Sequence, residues 1–380
     1  MRHKSILTLL ICISLIFMPG CWDQTLLKNI SLVLTSAIDQ GEDDNAEFSI
    51  TYRKVQQSQS MEQENTGNYS TTVLSTEAPT LRKARTNFSR IVDQKIDMSK
   101  MQVMLIGDEF AQQRLLPYLD MFYRDPKSPL LANLALVQGG SCVDVINQLL
   151  KEKLIVSDYL NNLITTASRS SQVSPKNIQS VRSKMLQTGE DLTLPLLHFD
   201  QSKQLIRVKG VALFNNDKKK GELYGQDAIL LTVMDNKMGR YANFTKKVGS
   251  DMKSKESNYI TIQVTDSKRD IKIVNPDHRD LTFFLNYEFT TSVLEYPKDN
   301  LDTDKNIQML NKRLSVILTK EAEKVVAALQ EANSDVLSLG RKYRVRHYDE
   351  YMKMNWVNDY PKVKIIPKIK VNIKQTGITS

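Results

Sequence analysis

Between Asp302 and Ala332, apolar side chains recur at three- and four-residue intervals: Ile307, Leu310, Leu314, Ile317, Leu318, Ala322, Val325 and Leu329. That spacing predicts one amphipathic helix, roughly 45 Å long at 1.5 Å per residue. A second periodicity lies in Lys362 to Lys374, where Val363, Ile365, Ile369, Val371 and Ile373 share one face and Lys362, Lys364, Lys368, Lys370 and Lys374 the other. Period two predicts a half-buried strand. The lysine row reads first as a solvated face that discourages edge pairing, and second as a contact for anionic headgroups or an acidic partner. Tyr259–Val264, Asp270–Val274 and Leu281–Leu294 read as successive antiparallel strands before the helix. Asn333-Ser334-Asp335 breaks the helix, and Asp335 is placed to cap a shorter one that Gly340 would end. The predicted class is α+β and multi-domain, with mixed or antiparallel sheets, packed helices and a long amphipathic helix in the C-terminal domain.

The N-terminus predicts an address rather than a domain. Arg2 and Lys4 precede a mostly apolar run from Ile6 to Met18, thirteen residues long. A membrane-spanning helix needs about 17–25, so the run reads as the apolar core of a secretory signal over residues 1–20. It ends at Met18-Pro19-Gly20-Cys21, similar to a bacterial lipobox, which makes Cys21 the predicted lipidation site. Of the three cysteines, Cys12 leaves with the signal and Cys21 carries lipid. Cys142 is left alone and no intramolecular disulfide is possible in the mature chain. Acyl chains stabilise membrane binding by about 0.8 kcal/mol per buried CH₂. The mature protein is therefore expected as a tethered protein on the outer face of a membrane.

Ahead of the C-terminal domain, strands are expected at Ile30–Ile38, Glu47–Val55, Met101–Ile106 and Leu134–Val137, and a long solvated loop at Gln56–Thr76. Pro79 opens a helix with the stripe Leu81, Ala84, Phe88, Ile91 and Val92. Further helices are expected at Glu109–Leu119, Val143–Leu150, Val156–Ala167 and Asn177–Leu186. The N-terminal α/β region is assigned to residues 21–200, with a subdivision near 138 left open, and the C-terminal α+β domain to 205–380, opening with a strand at Ile206–Phe214.

Nothing in the sequence asks for an enzyme. His198, His278 and His347 stand far apart, and neither H-x-x-x-H nor C-x-x-C occurs to hold zinc. Ser250-Asp251-Met252-Lys253 matches the bare S-x-x-K pattern but lacks its partner motifs. Gly139-Gly140-Ser141-Cys142 reads as a turn into a helix. With 14 glycines in 380 residues, little material exists for phosphate-cradling loops. No catalytic residue, cofactor site or metal site is predicted. The net charge of +9 gathers at Lys218–Lys220 and Arg341-Lys342-Tyr343-Arg344-Val345-Arg346, where solvated segments are the first reading. Export makes nucleic acid an improbable partner.

These motifs, taken in order, resemble the Ger(x)C lipoproteins, the C subunits of bacterial spore nutrient-germinant receptors. Cys21-Trp22-Asp23 is similar to the start of that family's mature chains. Ile38-Asp39 resembles its Gly-Ile-Asp strand end, and Thr80-Leu81-Arg82-Lys83-Ala84 its early helix. Val103–Gly107 with Glu109, Tyr123-Arg124-Asp125-Pro126 and Lys209–Phe214 follow in the family's order. Ser334-Asp335-Val336-Leu337 through Gly340, then Asn355-Trp356, resemble the signature after its long helix, and Gly377 closes the chain. The resemblance implies a non-catalytic subunit, N-palmitoylated and S-diacylglycerylated at Cys21, on the outer surface of the spore inner membrane. It implies partners of two kinds, a membrane-embedded A subunit and a transporter-like B subunit. It also implies that this subunit alone binds no small molecule. The alternative from another class is a solute-binding lipoprotein of a membrane transporter.

Overall fold

The computed structural model describes residues 30–43, 45–55, 69–250, 255–277, 280–299, 301 and 303–376. Cys21, the signal segment, Asp251-Met252-Lys253, His278 and Gly377 lie outside them. The first sheet is built from β1 (Ile30–Gln40), β2 (Ala46–Val55), β3 (Tyr69–Ala78), β4 (Lys95–Asp97), β5 (Val103–Gly107), β6 (Asn133–Gln138), β7 (Thr193–Asp200), β8 (Leu205–Asn215) and β9 (Lys218–Tyr224). Its order is β3-β2-β1-β5-β6-β7-β8-β9, with β4 paired to β1. The centre, β1-β5-β6-β7, is parallel; both flanks are antiparallel hairpins. Parallel strands need crossover connections, and these cover both faces. Helices α1 (Leu81–Phe88), α2 (Leu116–Arg124) and α5 (Ile178–Leu186) pack with Ile38, Met104 and Leu136 on one face. Helices α3 (Cys142–Lys151) and α4 (Val156–Arg169) pack with Ala37, Leu105 and Val137 on the other.

That second face also carries the rest of the chain. After α6 (Gly225–Met234) comes a second sheet of β10 (Ala242–Lys247), β11 (Tyr259–Val274), β12 (Thr282–Glu295) and β13 (Lys364–Gln375), in that order. Between β12 and β13 runs α7 (Asp304–Glu331), capped by the Thr303 hydroxyl, which accepts from the Asn306 N–H at 3.4 Å. Its 28 residues span about 42 Å. Leu310, Leu314, Leu318, Ala322, Val325 and Leu329 are buried, as the periodicity requires. They join Phe283, Leu285, Phe289, Ile369 and Val371 in a core continuous with the α3–α4 layer. The molecule is thus α+β and multi-domain, on two sheets.

One row of α7 is polar, and it closes the edge of the second sheet. Asn311, Ser315 and Thr319 stand four residues apart, hence on one helix face. The β13 backbone N–H groups of Ile373, Val371 and Ile369 donate to them, each at 2.9 Å. Unpaired ladder groups on an edge strand would template another chain. Here they are satisfied from within.

Several expectations need correction. Tyr69–Thr76 is strand, not loop: its Thr/Ser-rich sequence lacks an apolar face because β3 is the sheet's edge. The helix expected at Glu109–Leu119 is a 3-10 turn at Phe110–Gln112 followed by α2, since Pro117 fits the first turn of a helix and not its interior. Ile91 is 62% exposed because α1 ends at Phe88. β11 is one strand where two were expected, and β13, whose pairing the sequence left open, lies parallel to β12. The strand β10 was absent from the expectations. Apart from these corrections, the first sheet runs on through the β6–β7 pair and through the β7–β8 pair across residues 200–205. The change of sheet falls between β9 and β10.

Candidate functional site

The sequence motifs singled out above converge on positioning devices. Ile38-Asp39 ends β1 with its carboxylate over Gly107, where a Cβ would lie 3.3 Å from Asp39 Cγ. There Asp39 accepts from the Cys142 N–H (3.1 and 3.2 Å to its two oxygens) and so caps α3. Burial pushes the Asp39 carboxyl above its ordinary range, against the lowering effect of that bond. Ser141 and Asp144 complete a capping box on the same helix, so the Gly139-to-Cys142 segment is a turn into a helix, as its sequence suggests. Cys142 is buried and free. Asp39, Glu47, Asp108, Glu109, Gln138 and Ser141 line an open cavity of about 480 Å³ at the C-terminal ends of β1, β5 and β6. Thr80 caps α1, and Arg85 Nη1 of that helix pairs with Asp125 Oδ2 at 3.2 Å, tying the early helix to the Arg124-Asp125-Pro126 segment.

The most constrained cluster joins the two halves of the chain. Asp191, between α5 and β7, and Asp335, after α7, are 8% and 1% exposed. They bond reciprocally: the Asp191 N–H donates to the Asp335 carbonyl (3.0 Å), and the Asp335 N–H to Asp191 Oδ2 (2.8 Å). Asp191 Oδ1 takes the Asn216 N–H at 2.6 Å. Asp335 Oδ1 accepts from the Leu339 N–H (2.8 Å), and Oδ2 from the Gly340 N–H (2.8 Å) and Trp356 Nε1 (3.0 Å). Beside them Gly189 (φ +86°) and Gly340 meet backbone to backbone. A Cβ on Gly340 would stand 2.7 Å from the Gly189 Cα and collide with the Trp356 indole. Glu190 bridges Lys184 (2.7 Å) and Arg341 (2.9 Å) across the same seam. The Ser334 hydroxyl donates to the Phe214 carbonyl, and the Tyr360 hydroxyl to the Ser334 carbonyl (3.2 Å).

Asp335 therefore caps α8 (Leu339–Arg346), as its sequence position suggests, but Gly340 lies inside that helix rather than ending it. Close packing against Trp356 is what requires a glycine there. The basic run in α8 is not a free patch. Tyr343 is buried against Phe283 and Trp356, Arg341 serves the seam, and Arg346 Nη1 donates to the Ile271 carbonyl (3.2 Å). Lys219 likewise is buried, pairing with Asp108 and with Glu222. His198 shares no metal-ligand cluster with other residues among those described.

The joint has a pH signature. Burial pushes the Asp335 carboxyl up to about 7 and that of Asp191 up to about 6. An unfolded aspartate releases its proton near 3.9. Between those values the folded chain binds more protons than the unfolded one, so stability falls as pH rises from about 4 through 7. The urea midpoint is expected to be higher at pH 5 than at pH 8, by an amount worth about 2–4 kcal/mol, and the slope should flatten in Asp335→Asn. An unchanged slope would contradict this assignment.

Comparison with known proteins agrees in both halves. Residues 23–199 match the family model described as the spore germination protein N-terminal domain, and residues 209–377 that of the spore germination B3/GerAC-like C-terminal domain. The putative spore germination protein YfkR of Bacillus subtilis (strain 168) is 26% identical over 231 residues, 57% of this chain and 56% of that protein. The chain thus matches little more than half the length of that relative. Spore germination protein KC of the same organism is 21% identical, with 100% of this chain and 97% of that protein aligned. The crystal structure of the GerBC protein superposes with a TM-score of 0.57 at 17% identity, over 89% of this chain and 96% of that one, a likeness of fold.

Proposed function

The chain belongs to the GerAC family of spore germination proteins, and on that premise we propose that it is a non-catalytic lipoprotein subunit of a nutrient germinant receptor. It would work beside a membrane-embedded A subunit and a transporter-like B subunit, supporting assembly of the receptor and passage of the germination signal. Cys21 would carry the N-palmitoyl and S-diacylglycerol groups that hold it to the outer face of the spore inner membrane. No helix among the described residues is long and apolar enough to cross a bilayer; in this reading the lipid at Cys21 does the anchoring.

The observation that carries the reading is the family match in both halves, across residues 23–199 and 209–377. The geometry of the joint supports it. The residues that recur in the resemblance, Asp335, Gly340 and Trp356, spend their polar groups and their space on each other and on Gly189 and Asp191. Such a seam ties the two halves to each other by hydrogen bonds and close packing, which suits a subunit that transmits a state rather than one that closes on a solute. The solute-binding alternative finds no support in the comparisons.

Deleting the chain should abolish dipicolinate release in response to its receptor's nutrients, and re-expression should restore it. Release at the undeleted rate would overturn the proposal. Calorimetry of the purified protein against the same nutrients should give no heat of binding.

A further inference from the structure

The second sheet buries one face under α7 and leaves the other open. Lys364, Lys368, Lys370 and Lys374 of β13 are exposed on the open face, while Pro367, Ile369, Val371 and Ile373 point into the core. The strand register extends the basic surface inward. Lys272 of β11 lies in one row with Phe284 and Ile366, and Lys268 in another with Glu288 and Lys370. Lys268 and Lys272 are also exposed. Lys247 of β10 lies on the same face, and against these seven lysines the face sets Asp266, Asp270, Glu288 and Glu295. Lys370 is paired, with Glu288 at 3.1 Å; Lys364, Lys368 and Lys374 carry no ion pair among the described residues. From Lys364 to Lys374 the row runs about 33 Å.

The bland explanation for such a row is that charge keeps an edge strand from recruiting another. That work is already done. Asn311, Ser315 and Thr319 of α7 take the Ile373, Val371 and Ile369 N–H groups of β13, so the stretch of edge beside the lysines is already hydrogen-bonded. The lysines project from the face instead, perpendicular to the direction in which a strand would add. They need another account.

We infer that this open face rests on anionic phospholipid headgroups. The surface is broad and carries a straight row of four lysines, three of them without an ion pair among the described residues, which fits a planar anionic layer. Phe284, 37% exposed, sits beside Ile366 at one end of the row and offers shallow apolar contact with the acyl boundary. Tethering supplies the proximity. Eight residues lie between Cys21 and Ile30, the first residue of β1, and the nine Cα–Cα steps fully extended reach at most about 30 Å. The inference rests on the membrane anchoring proposed above. Each lysine near an anionic bilayer adds attraction that salt screens within a Debye length.

The test uses the full-length protein extracted from membranes and reconstituted into vesicles of phosphatidylcholine, with or without phosphatidylglycerol. Flotation with pure phosphatidylcholine vesicles reports the anchor; amine acylation, read residue by residue by mass spectrometry, reports the face. With phosphatidylglycerol present, labelling of Lys364, Lys368, Lys370 and Lys374 should fall about tenfold, and 0.5 M salt, roughly the level at which exposed charges are screened, should restore it. The exposed Lys151 and Lys153 serve as internal references and should label equally throughout. A chain that floats with both vesicles yet labels equally in both would overturn the inference while leaving the anchor standing. Protection seen in native spore membranes but in neither vesicle would also overturn it, and would assign the face to an acidic protein.

Discussion

Replacing Asp335 by alanine is expected to cost about 3–5 kcal/mol of folding stability. The carboxylate takes three donors: the Leu339 and Gly340 N–H groups and the Trp356 indole, at 2.8–3.0 Å. Buried donors left unsatisfied cost about 1–3 kcal/mol each. Relief of a buried charge next to Asp191 offsets part of this, which keeps the net below the sum. The damage should concentrate at the seam. Trp356 packs on Tyr343, Tyr351 and Tyr360 with ring centroids 5.8–6.2 Å apart, and loses its only oriented polar contact among the described residues. Urea unfolding followed by tryptophan fluorescence measures the loss. A change below about 1 kcal/mol would show that the seam is not held by this carboxylate.

How much of this was legible in the sequence depends on how local the cause is. The helix α7 and the strand β13 are written in periodicity: a three-four stripe of aliphatics dominated by leucine, and an alternation of aliphatics with lysines broken only at Ile366, Pro367 and Asn372. The capping role of Asp335 could be read because a cap acts within a few residues. Its larger role could not, since Asp191 lies 144 residues away and nothing in either neighbourhood names the other. The strand β11 appeared as two because Thr265 to Arg269 is polar on both faces, one of which is the open lysine face. β3 was missed because an edge strand rich in threonine and serine has little to bury. The row Asn311, Ser315 and Thr319 looked like ordinary helix surface. Its meaning depends on which strand lies alongside, and sequence spacing does not carry that.

Changing Cys21 to serine is expected to move the protein from the membrane to the soluble fraction and to abolish nutrient-triggered germination through its receptor. Each buried methylene contributes about 0.8 kcal/mol, so a diacylglycerol group plus an N-acyl chain gives stable anchoring where one chain gives marginal binding. Without them, what remains is the attraction of the lysine face, which is salt-sensitive. The serine variant should therefore be released fully by high salt, while the native protein should resist it and yield only to detergent. Fractionation and immunoblotting read the outcome. Retention of the variant through a high-salt wash would contradict lipid anchoring at Cys21 and would require a second attachment.

The central claim is membership of a receptor at the spore inner membrane. It is tested most directly by affinity purification of the tagged chain from detergent-solubilised dormant-spore membranes, with mass spectrometry of what accompanies it. The account predicts one A-type membrane subunit and one transporter-like B-type subunit in stoichiometric recovery. Recovery of an ATP-driven permease, or of no membrane partner, would contradict it.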